Sequence, residues 1–247
     1  MMNSFSGLGW RGKVGLILPN VNTVTEPVLY TLAPQGISFH TRRTIVSPSG
    51  PEAVPAMVEE KERAFRELAY AKPDCIVDCC TASGVLRGLT ADKEFCSTAE
   101  RETGIKTTST IRAIIDTMEI LKMQRFVIIS PHTEAANERE NTFFKEKGYD
   151  ILNIGAMNLK RGYEYAQVSP QEIYRFCIDN WDNRADGLFI TCINFNAMPV
   201  IQSLELALGV PVLSSLSATL WEILKVIGVN DPIWGHGLLL SKLDRGS

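Results

Sequence analysis

Histidine is scarce in this chain, with three in 247 residues, and no apolar run approaches the ~18 residues of a bilayer crossing. No membrane association is expected. Lys and Arg number 25 against 28 Asp and Glu, giving a net charge of −3, and no basic run stands out. The electrostatic footprint of a nucleic-acid binder is therefore missing. Residues 1–13 lack the long apolar core of a secretory leader. Without that leader, the six cysteines read as reduced thiols in a cytoplasm rather than as a disulfide framework. Cys75, Cys79 and Cys80 have neither a second cysteine cluster nor a histidine close in sequence, so no metal site is expected. Gly7, Gly9 and Gly12 match G-x-G-x-x-G, but they precede the first strand instead of following it, so no dinucleotide cofactor is read from them.

One pattern is written twice. Asp74–Cys80 is an apolar strand ending in cysteine, and Asp186–Cys192 has the same plan 112 residues on (192 − 80). Residues 13–20 match 125–132 at the same offset (131 − 19), and residues 118–122 answer 221–225 at an offset of 103. Self-similarity in constant order means duplicated halves; two copies of ~110 residues are too few for a solenoid.

Strand patterns are expected at 14–18, 37–44, 75–80, 126–130, 151–156, 188–192 and 211–214, and a short strand or turn at 107–110. Helices are expected at 26–32, 56–71, 91–103, 111–121, 133–146, 170–181, 200–208 and 218–226, with Ser169 capping the sixth. Residues 1–12 read as a loose arm, 47–55 as a loop and 80–84 as a small polar turn. Strands alternating with helices give parallel sheets in an α/β fold. The expected halves are 1–118 plus 222–247 and 119–221, the last helix packing back on the first half. Ligands of such sheets sit beyond the carboxyl ends of strands. The loops after Pro19, Cys80, Pro131 and Cys192 would then face one cleft.

A thiol serves as a nucleophile when ionised and as an acid when neutral. Cys80 precedes Thr81, Ala82, Ser83 and Gly84, small residues whose backbone N–H groups can approach an anion and stabilise a thiolate. Cys192 precedes bulkier Ile193, Asn194 and Phe195, which favour a neutral thiol. Cys75, Cys79, Cys96 and Cys177 read as buried structural residues. The residues alone leave open a two-thiol enzyme and a non-catalytic small-acid binding protein.

Pro19-Asn20-Val21-Asn22-Thr23, Cys80-Thr81-Ala82-Ser83-Gly84 and Thr191-Cys192 resemble the aspartate/glutamate racemase superfamily. They are most similar to its maleate cis–trans isomerase and arylmalonate decarboxylase branch. The resemblance implies two pseudo-symmetric Rossmann-like (flavodoxin-like) halves with the active site in the cleft between them. It implies no cofactor, Cys80 as nucleophile, Cys192 as acid/base partner and Asn22 holding a substrate carboxylate. Thr81, Ser83, His132 and Asn194 are the further expected substrate contacts. The decarboxylase has glycine at the first cysteine, so the resemblance, with two cysteines, favours cis–trans isomerisation of a small unsaturated dicarboxylate or its monoamide; racemisation or decarboxylation at the carbon next to a carboxylate is the alternative. The isomerases carry tyrosine where this chain has His132 and usually asparagine near Gly162. The expected partner is a small carboxylic acid, and a homo-oligomer is compatible with the fold.

Overall fold

The computed structural model describes residues 7–45 and 51–243. The first half runs β1 (Gly12–Pro19), α1 (Thr25–Leu32), β2 (Ile37–Thr44), α2 (Val54–Ala69), β3 (Cys75–Asp78), α3 (Thr81–Arg87), α4 (Leu89–Thr103), β4 (Lys106–Ser109) and α5 (Thr110–Leu121). The second runs β5 (Arg125–Ser130), α6 (Glu134–Glu146), β6 (Asp150–Ala156), α7 (Gly162–Tyr165), α8 (Pro170–Asp179), β7 (Gly187–Ile190), α9 (Ile201–Leu208), β8 (Val212–Ser214) and α10 (Ser215–Val226). A short α11 (Leu238–Ser241) packs on α10.

Each half holds a four-stranded sheet among the described residues, in the orders β2-β1-β3-β4 and β6-β5-β7-β8. All pairings are parallel. The duplication extends to register. Ile17 pairs with Asp78 and Ile129 with Ile190, so both partners shift by 112 (129 − 17, 190 − 78). The repeated aspartate has a physical task. Asp74 accepts the Lys13 N–H at 2.8 Å, and Asp186 accepts the Arg125 N–H at 3.0 Å, each holding a central strand at its start. Central strands buried on both faces read as continuous apolar runs; Val14, Leu16, Ile17, Leu18 and Phe126–Ile129 are fully buried.

Several expectations are corrected. The sequence match of 118–122 to 221–225 is two residues out. Helices α5 and α10 are equivalent at 105 (215 − 110), and their caps agree: Ser109 accepts from the Arg112 N–H and Ser214 from the Ser217 N–H. The expected joints at 118/119 and 221/222 fall inside these two helices. The turn expected after Cys80 is helix α3, with Cys80 in extended conformation at its N-cap. Its small residues allow close packing: a Cβ on Gly84 would lie 2.5 Å from Ile111 of α5. Strand β7 stops at Ile190, and Cys192 has φ +81°, a left-handed conformation that strains a residue bearing a Cβ. Part of the expected arm, residues 1–6, lies outside the described residues. Its remainder is pinned, because Arg11 donates to both oxygens of Asp231. The 47–55 loop is described only from 51, and α2 already begins at Val54. Of the G-x-G-x-x-G match, Gly7 and Gly9 precede β1 and Gly12 opens it, so no glycine turn follows a strand there.

Behind Cys80 lies a buried ion network. Lys61 Nζ donates to Asp78 Oδ1 (2.6 Å), Asp78 Oδ2 (2.7 Å) and Ser83 Oγ (2.5 Å). Arg87 Nη2 donates to Asp78 Oδ2 at 2.6 Å and to Asp92, which also accepts from Ser109. Ser83 in turn donates to the Cys80 carbonyl at 3.1 Å. Burial alone would raise the Asp78 carboxyl, but Lys61 and Arg87 outweigh it and hold it below the usual range. The network ties α2, β3, α3, α4 and β4 together at the turn that presents Cys80.

Removing one member leaves buried charge without its counterpart. Lys61→Met is expected to lower stability by about 3–5 kcal/mol. Urea denaturation followed by circular dichroism measures this, and a loss below about 1 kcal/mol would contradict a buried network.

Candidate active site

The carboxyl ends of β1, β3, β5 and β7 open on one cavity of about 380 Å³. That volume falls within the range of small-molecule pockets. Asn22, Cys80, Thr81, His132, Cys192 and Asn194 all line it, from four loops that are far apart in sequence. Ser83 does not line it, because its hydroxyl is held by Lys61 and the Cys80 carbonyl. Its expected place among the substrate contacts is therefore corrected: Ser83 steadies the Cys80 turn.

Two further expected contacts carry structural duties. Asn194 Oδ1 accepts the Thr23 N–H at 3.0 Å, while Nδ2 donates to Gly162 O (2.8 Å) and Val21 O (3.3 Å). Both amide hydrogens are used, so the Asn194 side chain brackets the two halves and has no donor left for a ligand. Asn22 Oδ1 accepts the Val24 and Thr25 N–H groups at the start of α1, and Nδ2 donates to Thr25 Oγ1 at 2.9 Å. One Nδ2 hydrogen remains for the cavity. Thr81 Oγ1 donates to Ser215 Oγ at 3.1 Å. The opening amides of α3 lack acceptors within the helix.

The two thiols differ in surroundings. Cys80 stands at the N-cap of α3, backed by the ion network. Cys192 sits on its strained turn, its sulfur accepting from the Asn194 N–H. Burial pushes the Cys192 thiol far above its ordinary range, and Cys80 and Glu140 push it further. Cys192 is thus a neutral thiol near pH 7. Cys75, Cys79, Cys96 and Cys177 are buried, and burial raises each of them, as expected for structural thiols.

Sequence reasoning missed Glu140 and Tyr165, which also line the cavity. Glu140 Oε1 accepts from Thr191 Oγ1 at 2.8 Å, one residue before Cys192. Burial raises its carboxyl to about 7. His132 Nδ1 lies 3.8 Å from the same oxygen, too far for a hydrogen bond. Burial, helped by Arg139, lowers His132 to about 4, so the ring is neutral and not a cation. Tyr165 packs edge-on to His132, with ring centroids 5.3 Å apart. Burial raises its hydroxyl to about 12. No group of three or more His, Cys, Asp or Glu among the described residues could hold a metal ion, and no described helix is long and apolar enough to cross a membrane.

Two duplicated α/β halves that each send a thiol into a shared cavity define the kind of protein this is. The sequence model described as arylmalonate decarboxylase matches residues 14–240, and the chain belongs to that family. It is 24% identical over 240 residues to a maleate isomerase of Nocardia farcinica, covering 92% of this chain and 95% of that one. Over 185 residues it is 22% identical to the arylmalonate decarboxylase of Bordetella bronchiseptica, covering 74% and 76%. The solved structure of a mutant N. farcinica maleate cis–trans isomerase, with a covalently bound succinylcysteine intermediate, superposes at a TM-score of 0.85. It is 23% identical, covering 93% of this chain and 98% of that one, a likeness that establishes the shared fold.

The two buried neighbours give opposite pH signatures. Glu140 rises from 4.5 to about 7 on folding, so the native state holds its proton more tightly. Its contribution is fully present at low pH and is lost as pH climbs from 4.5 to 7. His132 falls from 6.5 to about 4, so its contribution grows as pH climbs from 4 to 6.5. Each amounts to about 3 kcal/mol, and they offset one another in the wild type. The stability of wild type minus that of Glu140→Gln should fall by about that amount between pH 4.5 and 7. A flat difference curve from chemical denaturation would refute the assignment.

Proposed function

We propose that the chain is a cofactor-independent cis–trans isomerase of a small unsaturated diacid or its monoamide, of the maleate isomerase type. The observation that carries this reading is the pair of thiols, Cys80 and Cys192, lining one cavity from equivalent strand ends of the two halves. The N. farcinica relative, with its succinylcysteine, supports it. Cys80 acts as the nucleophile. Its thiolate adds to one alkene carbon, forming a C–S bond, and the π electron pair moves to the neighbouring carbon, where the attached carboxylate stabilises it. The neutral Cys192 thiol then gives that carbon its proton. The new single bond rotates. Cys192, now a thiolate, takes the proton back, the alkene re-forms and the C–S bond breaks to release Cys80 as thiolate. Atoms and charge balance over the cycle, and no cofactor is consumed.

The remaining Asn22 Nδ2 hydrogen and the opening amides of α3 hold the carboxylate next to the reacting carbon. The charge that develops on addition is met by donors already in place. Shared between a thiolate and a neutral thiol, the same arrangement could instead exchange a proton next to a carboxylate, which is the racemase alternative.

Trapping separates these roles. Incubation with maleate should yield fumarate. Cys80→Ser should lower the rate by on the order of 10³-fold or more and carry no adduct. Cys192→Ser should form the thioether but release it slowly, so that mass spectrometry finds a succinyl adduct accumulating on the Cys80 peptide. An adduct on the Cys192 peptide instead would reverse the assignment.

A further inference from the structure

Glu140 is the one acidic side chain among the residues lining the cavity, and it is only 3% exposed. Thr191 occupies Oε1, while Oε2 has no hydrogen-bond partner. The ring of His132 flanks it from the end of β5, Tyr165 stands beyond that ring on α7, and Cys192 lies on the turn that Thr191 begins. Arg139, the preceding residue on α6, and Lys160 are the cations along the same walls. A buried oxygen without a donor is costly to leave unmet. A substrate carboxylate placed beside it would bring a second acceptor and a like charge. A group with N–H hydrogens would satisfy it.

From this geometry we infer that the substrate end facing Glu140 is a hydrogen-bond donor, a primary amide, so that the site takes the monoamide of a cis-unsaturated diacid in preference to the diacid. This deepens the isomerase reading and rests on it for the identity of the reacting alkene. The carboxylate end is then the one held near Cys80, and Arg139 and Lys160 supply positive charge to draw an anion into the cavity. Glu140, with a carboxyl raised to about 7, becomes a stronger discriminator as it ionises. Its neighbours do not mask that titration in this range. His132 is neutral there, and the Cys192 and Tyr165 groups are held protonated.

Calorimetric titration of Cys80→Ser, which cannot turn over, reads ligand choice separately from chemistry. At pH 8, maleamate should bind at least about tenfold tighter than maleate, the value of one well-made hydrogen bond against an unmet acceptor. In Cys80→Ser with Glu140→Gln the preference should fall to about one, because glutamine can also donate to a carboxylate. Should that double variant fail to fold by circular dichroism, the pH series on Cys80→Ser decides: the preference for maleamate should widen from pH 7 to pH 8.5, where free maleate is already the dianion and Glu140 completes its ionisation. Equal binding, tighter binding of maleate, or binding of neither compound overturns the inference. Turnover by the wild type is followed in parallel. If maleamate binds selectively yet neither compound is isomerised, the isomerase reading fails while the ligand assignment stands.

Discussion

The Lys61–Asp78 pair is the constraint on which the geometry at Cys80 depends. Two fully buried charges persist only if each finds its partner, and these do so across α2 and β3. Arg87 and Asp92 extend the pair into a neutral set of four, and Ser83 couples it to the backbone of Cys80. The position of Cys80 is therefore fixed from behind by electrostatics instead of by side-chain packing alone. The equivalent strand of the other half carries Ile190 where Asp78 stands, so no such set lies behind Cys192. There the turn is held by Thr191 on Glu140 and by the Asn194 bracket, and its backbone is strained.

That asymmetry suits the division of labour proposed for these chemically identical groups. A thiolate must be presented along one line to a planar carbon. Cys192, at the cavity wall, is held as a neutral thiol, the form in which a thiol can give a proton. Duplication gave two equivalent strand ends, and the surroundings made them unequal.

Much of this was readable from residues alone. The repeat predicted the paired sheets, the four loops and the convergence of Cys80, Cys192, Asn22 and His132, because a parallel α/β topology sends equivalent strand ends to equivalent places. The charged network and Glu140 were missed because a charge in a helix is ordinarily solvated. The signal was present. Lys61 falls on the stripe of Met57, Ala64, Phe65 and Leu68, and Glu140 falls on the stripe of Asn137, Phe143 and Phe144. A charge on the apolar face of a helix is buried by periodicity, and its partner must be sought. Ser83 was misplaced for a different reason, which also hid that the Asn194 side chain, though it lines the cavity, is already bonded to protein. Residue type and loop position cannot tell a hydroxyl or amide already bonded to protein from one left for a ligand. Helix α3 was hidden because the six small or apolar residues from Thr81 to Leu86 follow a strand with no side-chain cap at Cys80.

Helix α10 lies beside α5 and reaches over the first sheet, joined through Thr110 to Thr219, Thr81 to Ser215 and Thr108 to Glu222. These partners are more than a hundred residues apart in sequence. During synthesis the first half leaves the ribosome with its strands complete but one flank of β3 and β4 bare. That flank holds the threonines and the Cys80 loop, and it stays open to water until residue 226 has emerged. The Cys80 thiol is thus made early and enclosed late. A cell making this chain carries, for the time of translating half of it, that thiol without its cleft.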